Sequence, residues 1–153
     1  NATDSSVCKL CGPGTYNTKI AQGSSEACIG CPVGRYSDEV GSTSDASCIE
    51  CAGGTYSDKT GAKECKACMA GKTSGKGSAE CYSCQLGKYS DEVGWTNCAL
   101  CPQGKFSNVS GTIVCKDCMA GRYNSHKGSE KEEDCQGCAP GFYASVSGLP
   151  DQI

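Results

Sequence analysis

The chain has 153 residues, a formal charge of −3, and 16 cysteines counted inside a 37% hydrophobic fraction that holds one tryptophan and two phenylalanines. Too little apolar side chain remains for one large core, and 21 glycines make most of the backbone turn and loop, whose ordering entropy apolar burial cannot offset. Cysteine above about 8–10% is the signature of a disulfide scaffold in an oxidising compartment.

The first motif in chain order is the N-glycosylation sequon Asn1-Ala2-Thr3. Eight CxxC pairs follow: Cys8/Cys11, Cys28/Cys31, Cys48/Cys51, Cys65/Cys68, Cys81/Cys84, Cys98/Cys101, Cys115/Cys118 and Cys135/Cys138, starting 16 to 20 residues apart. Self-similarity at a fixed period is the mark of a repeat architecture. The third residue after every pair is glycine: Gly14, Gly34, Gly54, Gly71, Gly87, Gly104, Gly121 and Gly141. Two residues further sits an aromatic, Tyr16, Tyr36, Tyr56, Tyr89, Phe106, Tyr123 or Tyr143, with Thr73 the exception. A second glycine comes five residues after the aromatic in six repeats, as in YSDEVG and FSNVSG.

The residue types suggest a mechanism. The first glycine takes a positive φ or lets the chain pass close to a neighbouring disulfide, the aromatic covers that disulfide, and the second glycine closes a turn. Each unit is then a short irregular hairpin, and only Ser129 to Cys135 has helical character. A second sequon lies at Asn108-Val109-Ser110, and Trp95-Thr96-Asn97-Cys98 has the W-x-x-C pattern of tryptophan mannosylation, although packing beside a disulfide explains that tryptophan more simply.

The string CPVGRYSDEVGSTSDASCIEC, from Cys31 to Cys51, resembles the cysteine-rich repeats called ephrin-receptor-like. Its C-P-x-G-x-Y-S opening is similar to the first module of tumour-necrosis-factor-receptor cysteine-rich domains. The resemblance runs from Cys8 to Tyr143 and implies that the cysteine before each G-x-Y segment pairs with the next one along: Cys11–Cys28, Cys31–Cys48, Cys51–Cys65, Cys68–Cys81, Cys84–Cys98, Cys101–Cys115 and Cys118–Cys135. The chain-entropy model assigns about 3 kcal/mol to closing a loop of such length. A crossed pairing, first to third and second to fourth, stays open, although it needs a period of two pairs where the motifs recur at a period of one.

Sequential pairing divides the chain into a tail of a preceding repeat (1–10), seven repeats (11–28, 31–48, 51–65, 68–81, 84–98, 101–115 and 118–135) and the start of an incomplete one (138–153). It leaves Cys8 and Cys138 as candidates for disulfides between segments. The expectation is a section of a longer array, or copies joined through those two cysteines.

Sharper chemistry fares poorly. Tetrathiolate zinc fits the CxxC spacing but needs a two-pair period and leaves the glycine and aromatic unexplained, so no metal site is assigned. A redox CxxC needs a thiolate stabilised at a helix start in a packed α/β frame. AGKTSGKG (70–77) mimics a phosphate loop, but Lys66 stands where its leading glycine belongs. His126 has no partnered carboxylate or serine in its turn, and the acidic residues around Asp38/Glu39, Asp91/Glu92 and Glu130 to Asp134 lack a complete calcium ligand set.

The fold expected is therefore a small disulfide-rich tandem-repeat array, an elongated rod of short irregular β-hairpins with almost no helix and no single core, each unit touching only its neighbours. No catalytic residue and no cofactor are assigned. The function expected is that of a glycosylated extracellular stalk, surface-coat or filament component; the alternative is a ligand-binding section of a cysteine-rich cell-surface receptor, with the deviant unit at Thr73 the first place to look. Expected partners are other copies or further repeats of the same chain, or a protein ligand, together with N-linked glycans. Nucleic acid is not expected because the lysines are scattered singly among acids. Membrane insertion of this segment is not expected because no apolar run nears the 18 or so residues of a bilayer span.

Overall fold

The computed structural model describes residues 8–20 and 22–152. Among them the regular structure consists of two-residue strands joined as seven antiparallel two-stranded sheets, with three 3-10 turns and no α-helix. The disulfides are Cys11–Cys28, Cys31–Cys48, Cys51–Cys65, Cys68–Cys81, Cys84–Cys98, Cys101–Cys115 and Cys118–Cys135, so the pairing is sequential.

Each sheet belongs to one clasp. Its first strand is the two-residue step that ends on the aromatic position, which is Thr73 in the fourth repeat, and its second is the pair of residues enclosed by the next CxxC. Thus Arg35↔Glu50 and Tyr36↔Ile49 are in register, as are Lys105↔Asp117 and Phe106↔Lys116. The turn that feeds the first strand is set by glycine. In Pro32-Val33-Gly34-Arg35 the Arg35 N–H donates to the Pro32 carbonyl at 3.1 Å and Gly34 has φ +78°, the type II geometry that requires positive φ at its third residue.

Helical character is not confined to Ser129–Cys135. Besides Glu132–Asp134, Ser25–Ala27 and Asp45–Ser47 form 3-10 turns. All three lie in clasps whose cysteines are 17 residues apart; the others span 13 or 14. The surplus residues before the closing cysteine are taken up as one tight turn.

The chain divides into two units. The first extends to Cys51 and includes Tyr56–Lys66 and Gly77–Glu80. Within it, the Gly14 N–H donates to the Ser37 carbonyl at 2.7 Å, the Cys31 N–H to Gly14 at 2.8 Å, and the Gly41 N–H to Cys11 at 2.8 Å. One repeat on, the same three bonds recur as Gly34 to Ser57, Cys51 to Gly34 and Gly61 to Cys31.

The second unit comprises Ala52–Thr55, Ala67–Lys76 and the chain from Cys81. There the bonds become Gly87 to Ser107, Cys101 to Gly87 and Gly111 to Cys84, and the pattern continues as Gly104 to Asn124, Cys118 to Gly104 and Gly128 to Cys101. A ladder of main-chain bonds thus joins consecutive repeats without using a side chain.

Contact is not limited to adjacent repeats. In the first unit a Cβ on Gly14 would collide with the carbonyl of Gly61, two repeats on, and one on Gly34 with that of Gly77. In the second unit Gly54 meets Gly94, Gly71 meets Gly111, Gly87 meets Gly128 and Gly104 meets Gly148 in the same way. At these six positions the repeated glycine is therefore required twice over, by its φ and by a backbone pressed against its α-carbon, whereas Gly121 and Gly141 are held to glycine by φ alone.

Candidate functional site: clasps, buried polar residues and variable loops

Apart from Phe106 and the motif glycines, the buried layer consists of cysteine and small polar residues. Cys31, Cys51, Cys68, Cys101 and Cys118 have no exposed surface. Beside them lie Ser37, Ser57, Ser74, Ser90, Ser107 and Asn124, each at most 2% exposed and each immediately following the aromatic position. Burying a polar side chain without a partner is costly, and here each one has a hydrogen-bond partner. Ser57 Oγ donates to the Lys59 carbonyl at 3.1 Å, Ser90 to Glu92 at 3.1 Å and Ser107 to Val109 at 3.0 Å, each closing a turn two residues ahead. Ser74 instead donates to the Thr55 carbonyl at 2.8 Å. Sequence reasoning passed over these buried residues, although the serine after the aromatic in YSDEVG, YSDKTG and FSNVSG was their visible trace.

The aromatic is less buried than the sequence suggests. Phe106 is buried against Cys118 and Cys135, so it covers the disulfide of the next repeat. Tyr16, Tyr36, Tyr56, Tyr89 and Tyr123 are half-buried, and Tyr143 is exposed. Where Thr73 replaces the aromatic, its hydroxyl donates to the Trp95 carbonyl at 2.7 Å, a bond to the following repeat that no tyrosine ring could make. Trp95 lies 6.1 Å from the Tyr89 ring and its indole N–H donates to Glu92 at 3.2 Å.

Among the remaining residues singled out by sequence, Cys8 and Cys138 carry free thiols, exposed and half-buried respectively. Asn108 is exposed, and Asn1 lies outside the described residues. The Asp134 carboxylate accepts the N–H groups of Glu130 and Lys131, both at 3.1 Å, so it closes the 3-10 turn. The His126 N–H donates to the Asn124 amide oxygen at 3.0 Å.

Charge on the outer face is arranged across the small sheets. The register partners Arg35 and Glu50 form an ion pair at 3.0 Å, and Lys105 and Asp117 one at 2.7 Å. Lys66 reaches Asp58 at 2.8 Å and lies 5.9 Å above the Tyr56 ring. The Lys66 hydrogen bond holds the Asp58 carboxyl below its ordinary value, and the same bond raises the lysine. Both side chains are exposed, so this pair orders the surface and adds little stability.

The repeat geometry matches a known family. The family model described as tyrosine-protein kinase ephrin type A/B receptor-like matches residues 1–48, 71–112 and 95–135. The chain belongs to the ephrin receptor-like family. A search of curated proteins finds no match. In this ephrin-receptor-like chain the clasps, the motif glycines and the buried serines recur from repeat to repeat, and the differences between repeats fall on the loops and on the residues inside each CxxC. Family and disulfides together point to an extracellular or cell-surface location and a receptor-type ectodomain segment.

Proposed function

We propose that this chain is a structural element of the extracellular surface, a stalk, coat or filament component rather than an enzyme. The observation that carries the reading is the ladder. The bonds that join one repeat to the next are made by backbone groups and recur at each step of both units, with disulfides closing each loop. Such a ladder resists separation of neighbouring repeats through several main-chain bonds acting together, and it is indifferent to most side chains. Proteases need an unfolded segment to cut, and each of the seven closed loops is pinned by a covalent clasp within 13 to 17 residues.

The test is localisation at high resolution together with a search for a ligand. Immunogold labelling is expected to follow a coat or fibre continuously. Capture of one stoichiometric protein ligand, lost when Lys72, Thr73 and Lys76 are substituted, would sink the structural reading in favour of a receptor one. That second reading is favoured by one observation: the fourth repeat alone replaces the aromatic and binds the next repeat through a side-chain hydroxyl.

A further inference from the structure

The sixth repeat carries an unusual loop. In the third repeat the turn and its return read Asp58-Lys59-Thr60-Gly61-Ala62-Lys63-Glu64, and in the fifth Asp91-Glu92-Val93-Gly94-Trp95-Thr96-Asn97. The sixth reads Asn108-Val109-Ser110-Gly111-Thr112-Ile113-Val114. At the positions of Lys59, Lys63 and Glu64 it has Val109, Ile113 and Val114, which are 54%, 50% and 69% exposed. They line a shallow concavity of about 290 Å³ shared with Asn108 and Lys116. Three β-branched apolar residues grouped on a turn are a liability for a secreted protein, because such segments pair with other chains.

The same loop holds the Asn-Val-Ser sequon, at the position that Asp58 and Asp91 occupy in its neighbours. The turn is fixed from beneath: the Val109 carbonyl accepts from the buried Ser107 hydroxyl at 3.0 Å and from Thr112 at 2.9 Å. The Asn108 amide oxygen accepts from Lys116 at 3.4 Å, while its Nδ2, the atom a sugar would be joined to, makes no hydrogen bond among the described residues. Asn108 and Ser110 are both exposed.

From the coincidence of sequon and patch we infer that Asn108 carries an N-linked glycan whose innermost sugar covers Val109, Ile113 and Val114. In the transfer, Nδ2 displaces a lipid-pyrophosphate leaving group from C1 of an N-acetylglucosamine-headed oligosaccharide. The new bond is Nδ2–C1, the bond broken is C1–O to phosphate, and Nδ2 gives up one proton. The acetamide methyl and the apolar face of the ring then lie over the patch, the cover that charged side chains provide in the third repeat. This inference rests on the extracellular part of the functional reading, because the donor is found in the secretory lumen.

The experiment is secretion of the full chain from a eukaryotic host and peptide mapping across Phe106–Lys116, with enzymatic deglycosylation in heavy-oxygen water. Labelled aspartate at position 108 is expected. Deglycosylated protein, and Asn108→Gln secreted without the sugar, are expected to bind an apolar dye several-fold more strongly than the glycoprotein. An Ile113→Lys/Val114→Glu variant should be glycosylated equally and show no such rise. Unmodified Asn108 in secreted, fully disulfide-bonded protein overturns the inference and leaves the functional reading standing. An unchanged dye signal on deglycosylation overturns the covering role. Retention inside the cell with reduced cysteines overturns both readings together.

Discussion

Repeats 1, 2 and 7 close their clasps over 17 residues, whereas repeats 3 to 6 do so over 13 or 14. The main-chain ladder runs through both kinds unchanged. The long loops store their surplus in a 3-10 turn, and in repeats 2 and 7 they add a bridge to the aromatic of the repeat before, Tyr16 to Ser42 and Phe106 to Ser129. Those two repeats also begin their first strand with arginine, Arg35 and Arg122, each of which donates to the carbonyl of its closing cysteine, Cys48 or Cys135. The loop is thus an accessory, and the repeat is defined by cysteine, glycine and backbone.

Repeats 2 and 7 differ in how the serine after the second glycine is satisfied. In repeat 7 the Asn124 amide donates to the Ser129 hydroxyl at 2.7 Å. In repeat 2 the matching residue is the shorter Ser37, and the buried Ser42 hydroxyl has no hydrogen-bond partner among the described residues.

The largest expected effect tests whether loop length matters at all. Removing the repeat 2 clasp by Cys31→Ser/Cys48→Ser and the repeat 4 clasp by Cys68→Ser/Cys81→Ser should each cost about 3 kcal/mol, measured by denaturant unfolding with the other disulfides intact. On loop entropy alone the two should differ by only about 0.2 kcal/mol. A gap of 2 kcal/mol or more would mean that the long loop carries structure of its own.

Next comes the contact between alternate repeats. Gly87→Ala forces a Cβ into the Gly128 carbonyl as well as a positive φ, whereas Gly121→Ala meets nothing within 4 Å and bears only the φ penalty. The second should cost about 1–2 kcal/mol, and the first clearly more. Equal values would show that the alternate-repeat contact adds nothing.

A smaller effect should separate repeats 2 and 7. Ser37→Asn supplies the missing donor to Ser42 and is expected to stabilise by about 1 kcal/mol, with Asn124→Ser destabilising repeat 7 by a similar amount. Hydrogen exchange of the two loops would locate each change.

The smallest effect is electrostatic. The lowered Asp58 value means that the pair's contribution is complete above the ordinary carboxylate range and fades as pH falls through the lowered value. Lys66→Ala should return the Asp58 midpoint, read by NMR titration, toward its ordinary position, without a measurable change in stability.

Much of this was legible in the sequence because cysteine, glycine and aromatic spacing report directly on a covalent clasp and a turn. The hairpins and their sequential closure follow from that spacing and from the resemblance it carries. What escaped was non-local. That Gly14 meets Gly61 depends on how repeats stack, and nothing within one repeat records it. The buried serines escaped for a different reason: a serine in a turn usually faces water, and only the absence of room beside the disulfides makes it core. The early 3-10 turns at Ser25–Ala27 and Asp45–Ser47 were hidden because their sequences are too short to show a period.

The end-to-end order of these loops also bears on how the chain comes to be oxidised. Each cysteine that opens a clasp finds its partner as the next cysteine but none other to skip, so a chain emerging from its amino end can close each bond before the following pair is made. The alternate-repeat glycine contacts arrive later, since Gly14 must wait for Gly61 and Gly34 for Gly77. Covalent closure thus leads and packing trails by two repeats, so the growing end always carries oxidised but unseated loops, the stretch on which a folding catalyst would act.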